Sequence, residues 1–328
     1  MKAPLSVTTK LIALVVCAVL FAMVIVGLSL HGRPTGGSVY HSWTSDKDVD
    51  HTFNVQPGGD LILDAAEGNI TVTGTDGSDV VVHVIAHGSD DPLRHFDVSF
   101  EQDGNTVKVS SRHERRYFRL FENNSLDVKY MVEVPHSFNL DLKTSGGDIT
   151  VSKIKGKIDG ETSGGDLDIS SVEGVVRMST SGGNVNAANS SGDFDLGTSG
   201  GSMEGKKLDG PIHMETSGGN IELRDCNGKL YATTSGGNIE VTMEDNKGIE
   251  LSTSGGNVTV RLPRSASGDV AAEASGGDVN SDFPFSGKIK EGRMNGKING
   301  GGPMIKLETS GGDIAINSME PSKGEEDH

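Results

Sequence analysis

Carboxylates and amides recur at one position of an 18-residue repeat, and their spacing could support cation binding or acid–base chemistry. The positions are Asp168, Asn186, Glu204, Glu222 and Glu240. If the repeats stack in register, neighbouring side chains lie about 4.8 Å apart, close enough to share a cation or a proton. Lys206 and Arg224 come two residues after Glu204 and Glu222, so surface ion pairs can also form. We therefore predict a solvated, ion-paired face, with a metal site or a catalytic site as alternatives.

The repeats contain few residues that could support calcium binding, zinc binding or nucleophilic catalysis. The half-repeat is similar in spacing to calcium-binding β-rolls, but its second turn mostly lacks Asp and its first holds Asn or Ser about as often as Asp. Calcium in every turn is therefore not expected, although one or two sites stay open. His213 is the single histidine between residues 140 and 320, and Cys226 falls at an apolar-type position, where we expect it to be buried and inert. We expect no catalytic residue, no cofactor and no enzyme activity, and Tyr231 is predicted to be isolated.

A cationic and aromatic segment interrupts this pattern at residues 112–122, RHERRYFRLFE. Its candidate partner contacts are Arg112, Arg115, Arg116, Tyr117, Phe118 and Arg119. Arginine and aromatic residues are enriched at protein interfaces. If these side chains are exposed, they could also bind anionic lipid headgroups. The alternative is a short insertion whose aromatic rings pack on the neighbouring strands and whose arginines meet acids such as Glu101 and Glu122.

The overall charge limits the partners. The formal net charge is −17, which argues against nucleic acid because phosphate neutralisation needs clustered Lys and Arg. The two cysteines, Cys17 and Cys226, are placed where they cannot meet, so no disulfide is expected. Glycine contributes 46 of the 328 residues and aromatic residues 5%, so a core built on large aromatic rings is not expected.

An uncharged apolar stretch at residues 11–30 predicts a membrane anchor. Its 20 residues match the length of about 20 that spans a bilayer as a helix, whereas a signal peptide has an apolar stretch of about 7–15 residues. A cleaved signal is the alternative. Lys2 and Lys10 precede the stretch, so residues 1–10 are predicted to be cytoplasmic and the chain after residue 30 extracytoplasmic, either periplasmic or at the cell surface. Residues 31–56 are predicted to form a tether.

The 18-residue repeat predicts the architecture. Thr162–Ser179 divides into TSGGDLDIS and SVEGVVRMS, each with Gly fourth and apolar residues sixth and eighth. Such alternation is the period of a half-buried strand, and a fixed repeat of short strands is typical of a solenoid. We predict an all-β, parallel β-solenoid of the β-helix or β-roll type, with two short strands in each 18-residue coil and an N-terminal transmembrane helix. Residues 57–140 are predicted to be an irregular β cap with the first coils, 141–318 the repetitive solenoid and 319–328 an acidic tail.

The Ser-Gly-Gly turns lead to two further predictions. Glycine in Ser-Gly-Gly is expected because stacked turns approach closely and because a sharp bend needs backbone angles that a Cβ resists. The Asp or Asn that follows each glycine pair is expected to bond the backbone of the neighbouring turn and form a ladder.

Three phrases resemble a known family. They are LILDAAEGNITVTGTDGSDVVVHV, the tandem TSGG(D/N) coils, and RMNGKINGGGPMIKLETSGGDIAI, and together they cover roughly residues 55–318. They resemble the bacterial "putative adhesin" domain family, which implies an extracytoplasmic β-solenoid in the cell envelope and supplies no catalytic residue.

These observations together predict a non-enzymatic, membrane-anchored scaffold with an adhesin-like or envelope-binding role. Its partner is expected to be an envelope protein or polymer, with its own membrane contacted through residues 11–30 and no nucleic acid. The first alternative is an accessory regulator of an envelope-stress signalling system. The second, which the sequence favours least, is an enzyme that acts on an envelope polysaccharide.

Overall fold

The structure, a computed structural model, describes residues 39–42, 47–89, 92–93, 95–113 and 126–319. This part of the chain forms 27 β-strands. It contains no helix that is long and apolar enough to cross a membrane. The predicted anchor at residues 11–30 and residues 320–328 of the predicted tail lie outside the described residues.

Strand bounds follow the repeat. The N-terminal strands are β1 Val39–Ser42, β2 Lys47–Asn54, β3 Gly59–Ala65, β4 Asn69–Thr75, β5 Asp79–Gly88, β6 Phe96–Asp103, β7 Thr106–His113, β8 Leu126–Pro135 and β9 Phe138–Thr144. The repetitive strands are β10 Ile149–Ser152, β11 Lys155–Thr162, β12 Leu167–Ser170, β13 Glu173–Thr180, β14 Val185–Thr198, β15 Met203–Asp209, β16 Ile212–Glu215, β17 Ile221–Cys226, β18 Leu230–Thr234, β19 Ile239–Met243, β20 Ile249–Thr253 and β21 Val258–Pro263. The C-terminal strands are β22 Gly268–Ala274, β23 Val279–Ser281, β24 Phe285–Lys290, β25 Arg293–Ile298, β26 Met304–Thr309 and β27 Ile314–Met319.

Strands one repeat apart pair in parallel and build two faces. Leu167, for example, lies opposite Ile149 of the preceding coil and Val185 of the next. Face A has the order β2–β5–β8–β4–β10–β12–β14–β15–β17–β19–β21–β27–β23. Face B has the order β1–β6–β7–β3–β9–β11–β13–β14–β16–β18–β20–β26–β22–β25–β24. Strand β14 gives its first half to face A and its second half to face B. The prediction of an all-β solenoid with 18-residue coils is confirmed.

The core lies between the two faces and follows the predicted alternation. Leu167 and Ile169 of β12, and Val176 and Met178 of β13, are at most 2% exposed. The equivalent apolar residues of the other coils are buried in the same way. Each coil therefore buries two small apolar patches, and stacking joins these patches into one core.

A buried threonine closes each Ser-Gly-Gly turn, a role that the sequence reasoning did not predict. Thr162 Oγ1 donates to Gly147 O of the preceding coil at 2.8 Å and accepts from the N–H of Gly165 at 3.5 Å. The same two bonds recur at Thr180, and the threonines of this column are between 2% and 7% exposed. The threonine hydroxyl is both a donor and an acceptor. It can therefore hydrogen-bond a backbone C=O and a backbone N–H of the turns where they border the core.

The predicted ladder along the turns is confirmed. The N–H of Asp166 donates to Asp148 Oδ1 at 2.9 Å, and the N–H of Asn184 donates to Asp166 Oδ1 at 2.6 Å. The series continues through Ser202, with its hydroxyl in place of the carboxylate or amide. Each turn thus fixes the register of the next.

Close approach explains the second glycine of each Ser-Gly-Gly turn. A Cβ on Gly201 would lie 2.0 Å from Gly183 O of the preceding coil, whereas a Cβ on Gly200 would meet nothing nearer than 3.5 Å. Neither residue has a left-handed backbone angle, so the prediction that the Ser-Gly-Gly bend needs unusual angles is wrong. The second turn of the coil differs, because Gly192 has a φ of 138° and a Cβ there would lie 1.7 Å from Gly174 O.

The N-terminal end departs from simple coil order. Strands β7 and β8 stack outside β3 and β4, and antiparallel strands extend both faces beyond them. Strand β2 lies within residues 31–56, where a tether was predicted, and it pairs with β5 along its whole length. The reason is its own alternation, since Phe53 is buried between the exposed residues Thr52 and Asn54.

The C-terminal end also departs from chain order. Strand β26 inserts between β20 and β22, with Ile305 opposite both Ile249 and Val270. Strand β27 likewise lies between β21 and β23. The last coil of the chain is therefore inside the stack, and the coil of β22 and β23 stands at its end, followed on face B by the antiparallel hairpin of β24 and β25.

Candidate interaction surfaces

The carboxylate row predicted from the repeat is present on face A. Glu222 lies opposite Glu204 on one side and Glu240 on the other. Arg224 forms an ion pair with Glu222, and its second guanidinium nitrogen lies 3.7 Å from Glu204 Oε1. Arg261 pairs with Glu240. The three glutamates of the row are therefore ion-paired, as the ion-paired interpretation predicts. Lys206, the other predicted cation, forms no ion pair within the described ranges, and Asp168 accepts a hydrogen bond from Asn186 instead.

A second row, not identified from the sequence, runs along the outside of face B. Its members, each opposite the next, are Asp141, Asp159, Arg177, Asp195, His213, Tyr231, Glu250 and Lys306. We call this row the face B stripe. At about 4.8 Å for each strand it extends for roughly 35 Å. The 18-residue spacing from 195 to 213 to 231 is the signal that could have revealed it.

The centre of the stripe combines an imidazole with a phenol. His213 Nδ1 lies 3.1 Å from Asp195 Oδ1, and the rings of His213 and Tyr231 meet edge to face at 4.8 Å between centroids. Tyr231 is 41% exposed. The prediction that Tyr231 is isolated is therefore wrong, because stacking places it against the histidine of the preceding coil.

Burial and neighbouring charges shift two pKa values in this region. Partial burial, with Glu215 and Glu250 nearby, raises the pKa of Tyr231. Hydrogen bonds to Glu250 and Glu308 raise the pKa of Lys306, at 2.9 Å and 3.2 Å from the two carboxylates. The stripe thus offers donors, acceptors and an aromatic ring.

Two adjoining shallow depressions lie near the N-terminal end of the stripe, each of about 300 Å³. Asp141 and Asp159 line both of them. Asp60 and Asn139 line the first, where Asn139 Nδ2 donates to Asp60 Oδ1 at 3.0 Å, and Arg177 lines the second. Both depressions are open and lined mostly by polar and charged residues, with apolar residues such as Ile62 in the first. This shape suits part of an extended ligand better than an enclosed small substrate.

The described residues show no metal-type cluster of three or more His, Cys, Asp or Glu side chains. Cys226 is buried, as predicted, and desolvation raises the pKa of its thiol. The Sγ atom lies 3.3 Å from Arg224 O. The neutral thiol fills core space rather than facing a ligand.

The cationic segment can be placed only in part. Arg112 is exposed near the end of β7. The other candidate contacts, Arg115, Arg116, Tyr117, Phe118 and Arg119, lie outside the described residues. The strands that precede and follow it in the sequence, β7 and β8, pair with β3 and β4.

Two parallel-stranded faces around one narrow core define the class of protein as a β-solenoid. The sequence model of the Toastrack DUF4097 family matches residues 59–317, and the chain belongs to this family. The predicted resemblance to adhesin-like domains is thereby confirmed. No curated protein matches the chain.

Solved structures that are similar to this chain include three adhesion-related proteins. One, described as a "putative adhesin" from Bacteroides fragilis, is 13% identical over 84% of this chain and 99% of its own, with a TM-score of 0.42. Another so described, from Parabacteroides distasonis, is 12% identical over 84% and 98%, with a TM-score of 0.36. A "putative cell adhesion protein" from Clostridium sporogenes is 16% identical over 83% and 100%, with a TM-score of 0.21. Likeness at this level does not carry a function to this chain.

Proposed function

We propose that the chain is a non-enzymatic binding scaffold of the bacterial cell envelope, with an adhesin-like role. Residues 11–30 would hold it in the membrane, and the solenoid would stand on the extracytoplasmic side. Its ligand would be an extended polar polymer, of which an envelope glycan is the favoured class.

The face B stripe carries this proposal. It presents carboxylates, cations and the ring of Tyr231 in one line, and its depressions are shallow and continuous. A polymer laid along the stripe can hydrogen-bond to several coils at once and stack on the exposed ring. Many weak contacts in series give useful affinity without a deep pocket.

Binding by the full chain in detergent micelles tests the proposal, with fractionated envelope polysaccharides as ligands. We expect Asp195→Ala and Tyr231→Ala to weaken binding about tenfold, the loss of one or two buried contacts. Asp168→Ala is the matched control, because Asp168 is an exposed aspartate on face A that bonds only its neighbour Asn186 among the described residues. The proposal is wrong if no envelope polymer, cell surface or envelope protein binds, or if the control weakens binding equally.

A second candidate, an accessory regulator of an envelope-stress system, is favoured by the position of β1. Eight residues, 31–38, separate the predicted anchor from this strand, so the connecting chain is shorter than predicted. A short connection favours contact with another protein of the same membrane. Photo-crosslinking in cells from position 117 and from position 215, an exposed position of β16 beside His213 of the stripe, distinguishes the two functions. Capture of one integral membrane protein from position 117 would support the regulator, and capture of envelope polymer from position 215 would support the scaffold.

A further inference from the structure

Strand β24 is an edge strand at the C-terminal end of face B. Among the described strands it pairs with β25 alone, from Phe285 opposite Ile298 to Lys290 opposite Arg293. Every residue from Ser286 to Lys290 is exposed. The backbone N–H and C=O groups on its outer edge are therefore open to another strand.

The side chains of β24 divide into an apolar side and a cationic side. Met294 and Ile298 of β25 are 1% and 0% exposed, which identifies the core-facing side of the hairpin. Ile289 lies directly opposite Met294 and so shares that side. It is nevertheless 60% exposed, more than the other exposed large hydrophobic residues of the described chain. The apolar side of the hairpin is thus buried at Met294 of β25 but left exposed to solvent at Ile289 of β24.

The opposite side of the hairpin carries unbalanced positive charge in an acidic protein. Arg293 of β25 pairs with Glu273 of β22. Lys288 and Lys290 of β24 form no ion pair within the described ranges, and Lys290 lies directly opposite Arg293. Like charges in direct opposition destabilise a sheet. A next strand with acidic residues on this side would balance the charge.

We propose that β24 receives an extended acidic strand from another protein, which joins face B as its next strand. In this incoming strand, two acidic residues separated by one position lie beside Lys288 and Lys290. The apolar residue between these two acids covers Ile289. Main-chain hydrogen bonds give the affinity, and the alternating side chains give the specificity. The row of the face B stripe continues from Lys306 through Ala271 and Asn295 to Lys288. The pairing edge of β24 and the side chain of Ile289 lie beyond the stripe, so the proposal does not depend on the proposed function.

Protection of the edge is the competing explanation, since lysine on an exposed strand discourages association. It accounts for the two lysines. It gives no role to Ile289, which is 60% exposed between them, because a polar residue at that position would protect the edge better.

The chain itself supplies a probe with the required alternation. In β2, Asp48 and Asp50 are exposed and Val49 is partly buried. A labelled peptide of residues 48–54, DVDHTFN, is titrated against the full chain in detergent micelles, with fluorescence anisotropy and amide hydrogen exchange as readouts. We expect saturable binding and slower exchange at residues 286–290. The same peptide with Asp48→Lys and Asp50→Lys should not bind.

Protein variants decide which residues receive the strand. Lys288→Glu with Lys290→Glu should weaken peptide binding about tenfold or more, because it places acids opposite acids. Lys206→Glu with Lys207→Glu makes the same charge change away from the hairpin and should leave binding unchanged. Ile289→Thr keeps strand propensity and both lysines, so its weaker binding would still identify β24 if the double variant failed to fold.

Four results would overturn the proposal. The first is peptide affinity that is unchanged in both hairpin variants, and the second is binding without slower exchange at residues 286–290. The third is association of the hairpin lysines with phosphatidylglycerol vesicles but not with the peptide, which would assign them to an anionic surface. The fourth is concentration-dependent self-association that is lost in the double lysine variant, which would make a second copy the occupant.

Discussion

At the scale of the residue, the Thr-Ser-Gly-Gly-Asp/Asn phrase separates into positions with different physical duties. The threonine hydroxyl satisfies backbone groups inside the core, and the second glycine lets one turn lie on the next. The Asp or Asn joins turn to turn. The serine and the first glycine are exposed, as at Ser199 and Gly200, so they should tolerate change better than their neighbours.

Alanine at the two glycines of one turn tests this division. Gly201→Ala should destabilise the fold by about 1–3 kcal/mol, because the new Cβ meets a backbone carbonyl that cannot move without shifting a coil. Gly200→Ala, whose Cβ meets nothing nearer than 3.5 Å, should change stability by less than about 1 kcal/mol. Urea unfolding followed by circular dichroism measures both. Equal destabilisation by the two variants would contradict the assignment.

The buried thiol of Cys226 makes stability depend on pH at the alkaline end. Burial raises its pKa above the usual 9.0, so the folded protein keeps the proton when the unfolded chain has lost it. The resulting stability is complete below pH 9 and is lost as pH rises through the folded pKa. In a Cys17→Ser background, the stability difference between Cys226 and Cys226→Ala should shrink from pH 8 to pH 10. A difference that stays constant would show that the thiol does not titrate with unfolding.

At the scale of the element, the last coil of the chain completes the stack from within. Strands β26 and β27 supply Ile305, Leu307, Ile314 and Ile316 to the core, all 0% exposed. They also provide the pairing partners of four strands, β20 to β23. The C-terminal coil therefore lies inside the stack and joins β20 and β21 to β22 and β23, rather than capping the end of the solenoid.

Truncation tests this closing role. Removal of residues 303–328 should destabilise the protein by about 5 kcal/mol or more, since four buried aliphatic side chains are lost at about 1.5–3 kcal/mol each. Removal of residues 320–328 alone is the control and should have little effect. Hydrogen exchange in β20 to β23 should be faster in the longer deletion only, because each of these strands loses β26 or β27 as a partner. Retained protection would mean that β22 pairs directly with β20 when the inserted strand is missing.

At the scale of the whole molecule, stability is distributed by nearest-neighbour contact. A coil inside the stack is held from both sides, whereas the coil of β22 and β23 meets a parallel coil on one side only. In such an array a defect at the centre affects coils on both sides, and a defect at an end stays local. Position in the stack should therefore change the effect of one and the same substitution.

Equivalent valines at the centre and at the end provide the comparison. Val185 and Val279 each follow a Ser-Gly-Gly-Asp/Asn phrase on face A, and they are 0% and 8% exposed. Val185→Ala should lower the global free energy of unfolding by about 1–2 kcal/mol, with faster exchange in the neighbouring coils. Val279→Ala should accelerate exchange in β23 and β27 and leave the central coils unchanged. A uniform response to both variants would indicate one cooperative unit without positional dependence.

The 18-residue coil could be predicted from the sequence, because the pattern that specifies it is local and repeated. The buried pairs such as Leu167 and Ile169, the turn ladder, the carboxylate row and the buried Cys226 all follow from periodicity. The order of the coils and the contacts between distant segments could not be predicted in this way and are seen in the folded chain. The insertion of Ile305 between Ile249 and Val270 is one such feature, since near-identical coils can pair in more than one order. The face B stripe is another, because His213 and Tyr231 become one site only when stacking sets their coils side by side.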